Sequence, residues 1–374
     1  MNVNIMKSIF KVTVLLALAC ASNVLFGSMK QGNTRVINVG KWLNTSTSVK
    51  NFDSYFDASL FQIETNDDCL MADLFFVGSR NGKLVIKSDK YTLYIIDSES
   101  GKIESKIDRR GNGPQEYILI SYATVAPDKD IIYISDLSKD RVLAYDFKGN
   151  YISELPLKKV STVKKLEDGN YVVCYFRRTD EKSCYGLYNK DFNLIRKSSM
   201  KKSEVDNFML TVNSTSDHNG ECFFQEYYSD VIYKVTSDVD IPYLTINLGK
   251  YALPLEYYAS AGLYNKNADD YIIPQRNLIV DNFLFYRYLY NRKMYMDVWN
   301  INKGLLISRT IFKNESDPCG FKITVNGVEV HCWPEFAVDD EIYCTILPNE
   351  AEKVSKDYSD ENNPMLIKLT PKER

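Results

Sequence analysis

The sequence predicts an all-β protein assembled from a repeated unit of short strands. Three observations carry that expectation. Aromatic residues make up 13% of the chain, with 27 Tyr and 18 Phe against 11 Pro and 17 Gly, and such side chains suit pleated, half-buried surfaces. Short apolar runs bounded by turn residues follow one another along nearly the whole chain, and only 253–262 and 350–358 have a helical cast. One pattern then recurs: KLVIKSDKYTLYIIDSESGKI (83–103) aligns with DIIYISDLSKDRVLAYDFKGNYI (130–152), placing Asp89 on Asp136, Asp97 on Asp146 and Gly101 on Gly149.

In each copy an apolar strand ends in Ser-Asp, a second strand ends in Asp, and a glycine turn leads into a third. The offsets of 47, 49 and 48 residues suit one blade of a β-propeller. Looser versions occupy 168–195, 220–235, 281–307 and 321–347, which makes six copies. A four-stranded sheet cannot cover both of its faces alone, whereas sheets packed radially around an axis cover each other and leave only short edges. The expected fold is therefore a six-bladed β-propeller, with seven shorter blades as the alternative. Dividing the chain beyond its N-terminal segment by six gives about 58 residues per blade, above the ~40–45 of a WD-type blade. Six blades with insertions at 196–215 and 251–275 account for the excess. Ring closure needs a strand from the N-terminus, and the isolated apolar island RVINV (35–39) is the expected one.

Residues 1–21 read as a signal peptide. Lys7 and Lys11 precede or interrupt an apolar run, and VTVLLALACA (12–21) has the length of a signal core, too short for a membrane span of roughly 20 residues. Cleavage after Ala19 or Ala21 fits a soluble secreted protein. Leu18-Ala19-Cys20 also fits the end of a bacterial lipobox, in which Cys20 is lipidated and becomes the first mature residue. Both alternatives send the chain to the periplasm or outer membrane, the second with a lipid anchor. Residues 22–58 read as tether and closing strand, and 59–374 as the propeller.

Composition excludes several classes. The formal net charge of −3, made more acidic still by loss of Lys7 and Lys11, gives no basic face for nucleic acid. Beyond Cys20 stand seven cysteines, an odd number without tight spacing, which reads as buried free thiols; Cys174 with Cys184 and Cys332 with Cys344 are the pairs that could bridge. No CxxC occurs and there are two histidines, so no structural zinc site, other metal or cofactor is expected.

The run RRGNGPQEY (109–117), followed by a strand and by IIYISDLSKDRVLAYDFKGNYISEL, resembles the six-bladed β-propeller lipoproteins of polysaccharide-scavenging Gram-negative bacteria, relatives of NHL-type and TolB-type propellers. Gly111, Gly113, Pro114, Glu116 and Tyr117 match the G-x-GPxEY stretch those proteins carry between their first two blades, and NNPMLIKL (362–369) matches their closing Asn-Pro-apolar strand. The resemblance covers nearly everything beyond residue 58. It implies the fold and is nearly silent on function, since most members of the family have no assigned activity.

Taken alone, RRGNGPQEY is not a phosphate cradle. Such a loop opens a helix, and here β-branched and aromatic YILISYATVAP follows, with glutamate at 116 where a dinucleotide fingerprint has glycine. A turn between sheets is expected, with Arg109, Arg110 and Glu116 fixing how two blades meet. The other reading faces a ligand: Arg110 grips a carboxylate and Tyr117 stacks on a sugar at the channel mouth. Asp67-Asp68, Asp269-Asp270 and Asp339-Asp340 read as solvated turns rather than glycosidase pairs. NKNADD (265–270) lacks the glycine and glutamate of a calcium loop. His331 reads as a packed strand residue and His218 as a turn residue, neither with an acidic orienter nearby in sequence. Tyr227-Tyr228, Tyr257-Tyr258, FYRYLY (285–290) and Trp333 are core or, alternatively, a platform for sugar or peptide.

The expected function is thus an exported, non-catalytic binding or scaffold propeller with a glycan, peptide or protein partner. The alternative is a propeller hydrolase or lyase using channel-lining carboxylates with calcium.

Overall fold

Strand after strand, buried apolar side chains run through the middle of each blade, as in Thr92–Asp97 and Ile131–Asp136, while the outermost strands alternate, as in Ile103–Asp108 and Tyr151–Leu155. That difference gives the architecture: inner strands are covered on both faces and outer strands on one. The computed structural model describes residues 34–45, 47–71, 74–126, 128–176, 182–200, 214–218, 221–226, 228–258, 260–314, 317–338, 341–356, 358–359 and 361–372. The signal segment with Cys20, residues 22–33 of the tether, 201–213 of the expected insertion 196–215, Tyr227 and the Asp339-Asp340 pair lie outside them.

Among the described residues the strands form six antiparallel sheets in a ring, a six-bladed β-propeller. Blades 1 to 5 span 75–108, 122–155, 160–197, 214–246 and 273–312, each running from the axis outwards. Blade 6 starts with the second half of Val328–Val338, continues through Glu341–Thr345 and Met365–Pro371, and ends on Phe56–Gln62. Inner strands of neighbouring blades approach closely: a side chain added at Gly78 of blade 1 would sit 2.9 Å from Val125 Cβ of blade 2. The connections between blades and the loops between second and third strands share one end of the ring, called here the loop face; the remaining turns form the turn face.

Closure differs from the sequence expectation. Phe56–Gln62 pairs with Met365–Pro371 from Phe56↔Pro371 to Gln62↔Met365, so the closing strand runs across position 58. The island at 35–39 instead lays Arg35–Ile37 parallel to Asp240–Ile246, as a fifth strand on the outer edge of blade 4, and turns at once into the helix Val39–Trp42. FDASLFQ buries Phe56 on one face and Phe61 on the other and leaves Asp57, Ser59 and Gln62 exposed, so its apolar pattern is broken, while the island draws the eye.

Between these strands the chain forms a strap past blade 5, held by a buried cation. Arg309 makes a bidentate pair with Asp297 at 2.6 and 2.7 Å; their side chains are 3% and 0% exposed. The remaining nitrogen donates to the carbonyls of Trp42, Leu43 and Thr45 at 2.7, 3.1 and 3.3 Å. Tyr288 donates to Asp297 Oδ2 at 3.1 Å. Burial pushes the Asp297 carboxyl up, against the pull of Arg309 and Tyr288. Further along the strap, Asp53 accepts from Thr324 N and Oγ1 at 2.7 and 2.6 Å, fastening it to the hairpin Phe321–Val325/Val328–Cys332.

The Asn-Pro motif finishes the seam. Asn363, 2% exposed, accepts from Met71 N through its side chain and donates to the carbonyls of Glu64 and Cys69. It therefore knits the loop entering the strand Met365–Pro371 to the loop leaving the closing strand.

The core lies between blades. Phe52, Phe283, Phe285, Phe321 and Trp333 fill the space between blades 5 and 6, and Tyr286, Tyr288, Tyr295 and Trp299 that between blades 4 and 5. FYRYLY and Trp333 are thus packing residues, alternate side chains going to opposite neighbours. Cys69, Cys174, Cys319, Cys332 and Cys344 are free thiols; Cys174 packs with Cys184 and Cys222, and Cys332 and Cys344 are fully buried.

Candidate functional site at the loop face

RRGNGPQEY connects blade 1 to blade 2 on the loop face, and its internal bonding is complete enough to explain its composition. Tyr117 is 0% exposed; its hydroxyl donates to Tyr91 O at 2.7 Å and accepts from Arg109 N at 3.0 Å. Its ring packs edge-on to Tyr145, and burial raises its pKa. Tyr117 therefore has no face to offer a sugar. Glu116 folds back, Oε2 accepting from Gly113 N at 2.8 Å, and a side chain at Gly111 would lie 2.0 Å from that oxygen. The glycine at 111 thus leaves room for the folded-back Glu116 carboxylate, which any larger residue would displace.

Blade 2 grips the turn from the other side. Arg141 donates to the carbonyls of Pro114, Gly113 and Glu116, Tyr145 donates to Gln115 O at 2.7 Å, and Asp136 accepts from Ile118 N at 2.9 Å. Arg109 donates to Gly149 O at 3.1 Å. Arg110 is exposed, its guanidinium stacked 4.0 Å above Tyr91. Of the sequence-predicted residues, Arg109, Glu116 and Tyr117 fasten two blades, whereas Arg110, exposed like Arg109, stacks on Tyr91.

A different group reaches the axis. Arg276, on the inner strand Ile273–Val280 of blade 5, donates to both the carboxylate and the carbonyl of Glu335 on the inner strand of blade 6. Arg287 Nη1 reaches the second oxygen of Glu335 at 3.3 Å, and Thr345 Oγ1 lies 3.5 Å from it. Burial lowers the Arg276 pKa although its side chain is 41% accessible. The guanidinium is thus packed against protein on an inner strand and still reached by solvent. Sequence reading missed this trio because no motif marks it; the available signal was an arginine within each of two strands, Arg276 and Arg287, that pair directly across from one another.

Exposed apolar side chains add to the loop face. Leu70 (54%), Phe75 (52%), Ile118 (37%), Leu255 (45%) and Leu263 (42%) all sit on, or at the end of, connections between blades. The insertion 247–272 forms two short helices, Leu255–Tyr258 and Ala261–Asn267, over a cluster that includes Tyr228, Tyr257, Tyr258 and Tyr271. NKNADD ends in this helical segment, with Asp269 paired to Arg292 at 2.6 Å. His331 does acquire an acidic neighbour, Glu350 Oε1 at 3.4 Å, carried in by the helix Pro348–Val354 and shared with Lys353 at 3.0 Å. The side chain of His218 lies outside the described residues. On the turn face, a cleft of about 230 Å³ between blades 3 and 4 holds the Lys234–Glu221 pair beside Asp168.

Fold and site define a six-bladed propeller with its inter-blade connections on one face. The chain belongs to the DUF4934 family, a domain of unknown function, whose model matches residues 34–373. It is similar in structure to a candidate exported protein of Bacteroides fragilis, at 20% identity and TM-score 0.66 over 87% of this chain and 97% of that one. It is also similar to a DUF4221 family member from Bacteroides vulgatus, at 11% identity and TM-score 0.51 over 84% and 96%. Identities this low carry the fold alone. No curated protein matches. No helix among the described residues is long and apolar enough to cross a membrane.

Proposed function

We propose that this chain is an exported binding or scaffold propeller that receives a glycan, peptide or protein partner on its loop face. The observation that carries the reading is the gathering of Leu70, Phe75, Ile118, Leu255 and Leu263 on the inter-blade connections, around an axis that presents Arg276. Exposed apolar groups beside a few convergent polar ones are what a ligand surface needs. Export is supported by the N-terminal segment and by the description of the Bacteroides fragilis neighbour.

Glycan and peptide arrays probed with the mature chain test the reading. A specific ligand is expected, weakened about 10-fold or more when Phe75 and Leu263 are both replaced by serine. Empty arrays together with no partner in pull-downs would remove it. Lipid attachment at Cys20 is part of the proposal: Cys20→Ser should move the protein from the membrane to the soluble fraction, and unchanged partition would rule the anchor out.

A further inference from the structure

Arg276 and Arg287 set two like charges side by side. They are direct cross-strand partners, and like charges so placed destabilise a sheet. One carboxylate, Glu335, lies between them and accepts from both. The trio therefore holds two positive charges against one negative. Arg287 Nε is buried without a hydrogen-bond partner, and Arg276 is lowered in pKa by burial and by Arg287 while remaining open to the lumen. A local rule broken at an accessible point of the axis is the mark of a site rather than of a structural fastening.

From this we infer that the Arg276–Arg287 pair takes a ligand carboxylate at the loop-face end of the lumen. The surplus is a single positive charge, which a monoanionic carboxylate neutralises; a phosphate group at neutral pH brings ~1.5–2 negative charges against Glu335 and exceeds it. A guanidinium presents parallel N–H groups that match the two oxygens of a carboxylate, so Arg276 can engage the ligand from its exposed side while Glu335 positions it from the other. Uronic-acid sugars and peptide carboxylates share this chemistry. The inference rests on the binding reading above and specifies its anchor.

Calorimetric titration of the mature chain tests it with two matched pairs: a galacturonic acid hexamer against its methyl ester, and an acidic hexapeptide with free C-terminus against its fully amidated form. The acid member of one pair is expected to bind at least ~10-fold more tightly than its neutral partner. Which pair responds identifies the source. Arg276→Gln should abolish the preference, and the double variant Arg276→Gln/Glu335→Gln, which leaves no unpaired glutamate, should do the same. Glu335→Gln alone should bind the acid ~10-fold more tightly, because it removes a competing negative charge; a purely structural trio would show no gain. Equal binding of acid and neutral forms, weaker acid binding in Glu335→Gln, or equal competition by a sulfated sugar overturns the carboxylate site while leaving a loop-face binding protein. Silence of all four probes where the arrays return another ligand also overturns the site, and empty arrays overturn both readings.

Discussion

Replacing Arg309 with leucine is expected to destabilise the protein by about 3–5 kcal/mol, seen as a fall of roughly 5–10 °C in thermal unfolding midpoint. The loss has two parts. Asp297 is left as an uncompensated carboxylate with no exposed surface, and the carbonyls of Trp42, Leu43 and Thr45 lose their shared donor. Asp297→Ala should be costly too, since it strands the arginine. The double variant Asp297→Leu/Arg309→Met should recover much of the loss, because a buried pair exchanged for apolar residues of similar volume is often close to neutral. Differential scanning fluorimetry of the four proteins decides it. A single variant within 1 °C of the parent would mean that the strap is not held by this pair.

Tyr117→Ala is the second large effect. Removing a fully buried aromatic ring at the joint of blades 1 and 2 should lower the unfolding free energy by about 3–5 kcal/mol. Tyr117→Phe should cost about 1–1.5 kcal/mol, since it keeps the ring and forfeits the bonds to Tyr91 O and Arg109 N. Denaturant titration measures both. A stacking role toward a ligand would give the opposite signature: Tyr117→Ala nearly as stable as the parent, with binding lost.

Much of the fold was legible because blades repeat. The spacing that sets Asp89 on Asp136 and Gly101 on Gly149 reflects the same turns in blades 1 and 2, where Asp97 and Asp146 accept backbone bonds from Ser100 and from Lys148 and Asn150. Closure was misplaced for a physical reason. FDASLFQ interleaves exposed Asp57, Ser59 and Gln62 with its apolar residues, so it is quieter in sequence than RVINV, which is drawn to blade 4 by a parallel edge that no local pattern announces.

The site was legible only in part. Arg109, Glu116 and Tyr117 were singled out by an unusual composition, and that composition answers to the joint between blades: the glycine at 111 accommodates the glutamate, and the tyrosine fills the gap. Arg276, Arg287 and Glu335 come from two blades and stand 11 and 48 positions apart along the chain. Only the ring brings them together. Glu350 reaches His331 in the same way, across a loop and a helix.

Hydrogen exchange followed by mass spectrometry on the intact chain tests the closed ring most directly. Amides of Phe56–Gln62 should exchange as slowly as those of their partner Met365–Pro371, and in the same cooperative step, because the two strands share one ladder. Exchange of 56–62 at the rate of an unstructured tail, with 365–371 still protected, would show a ring that the N-terminal strand does not close.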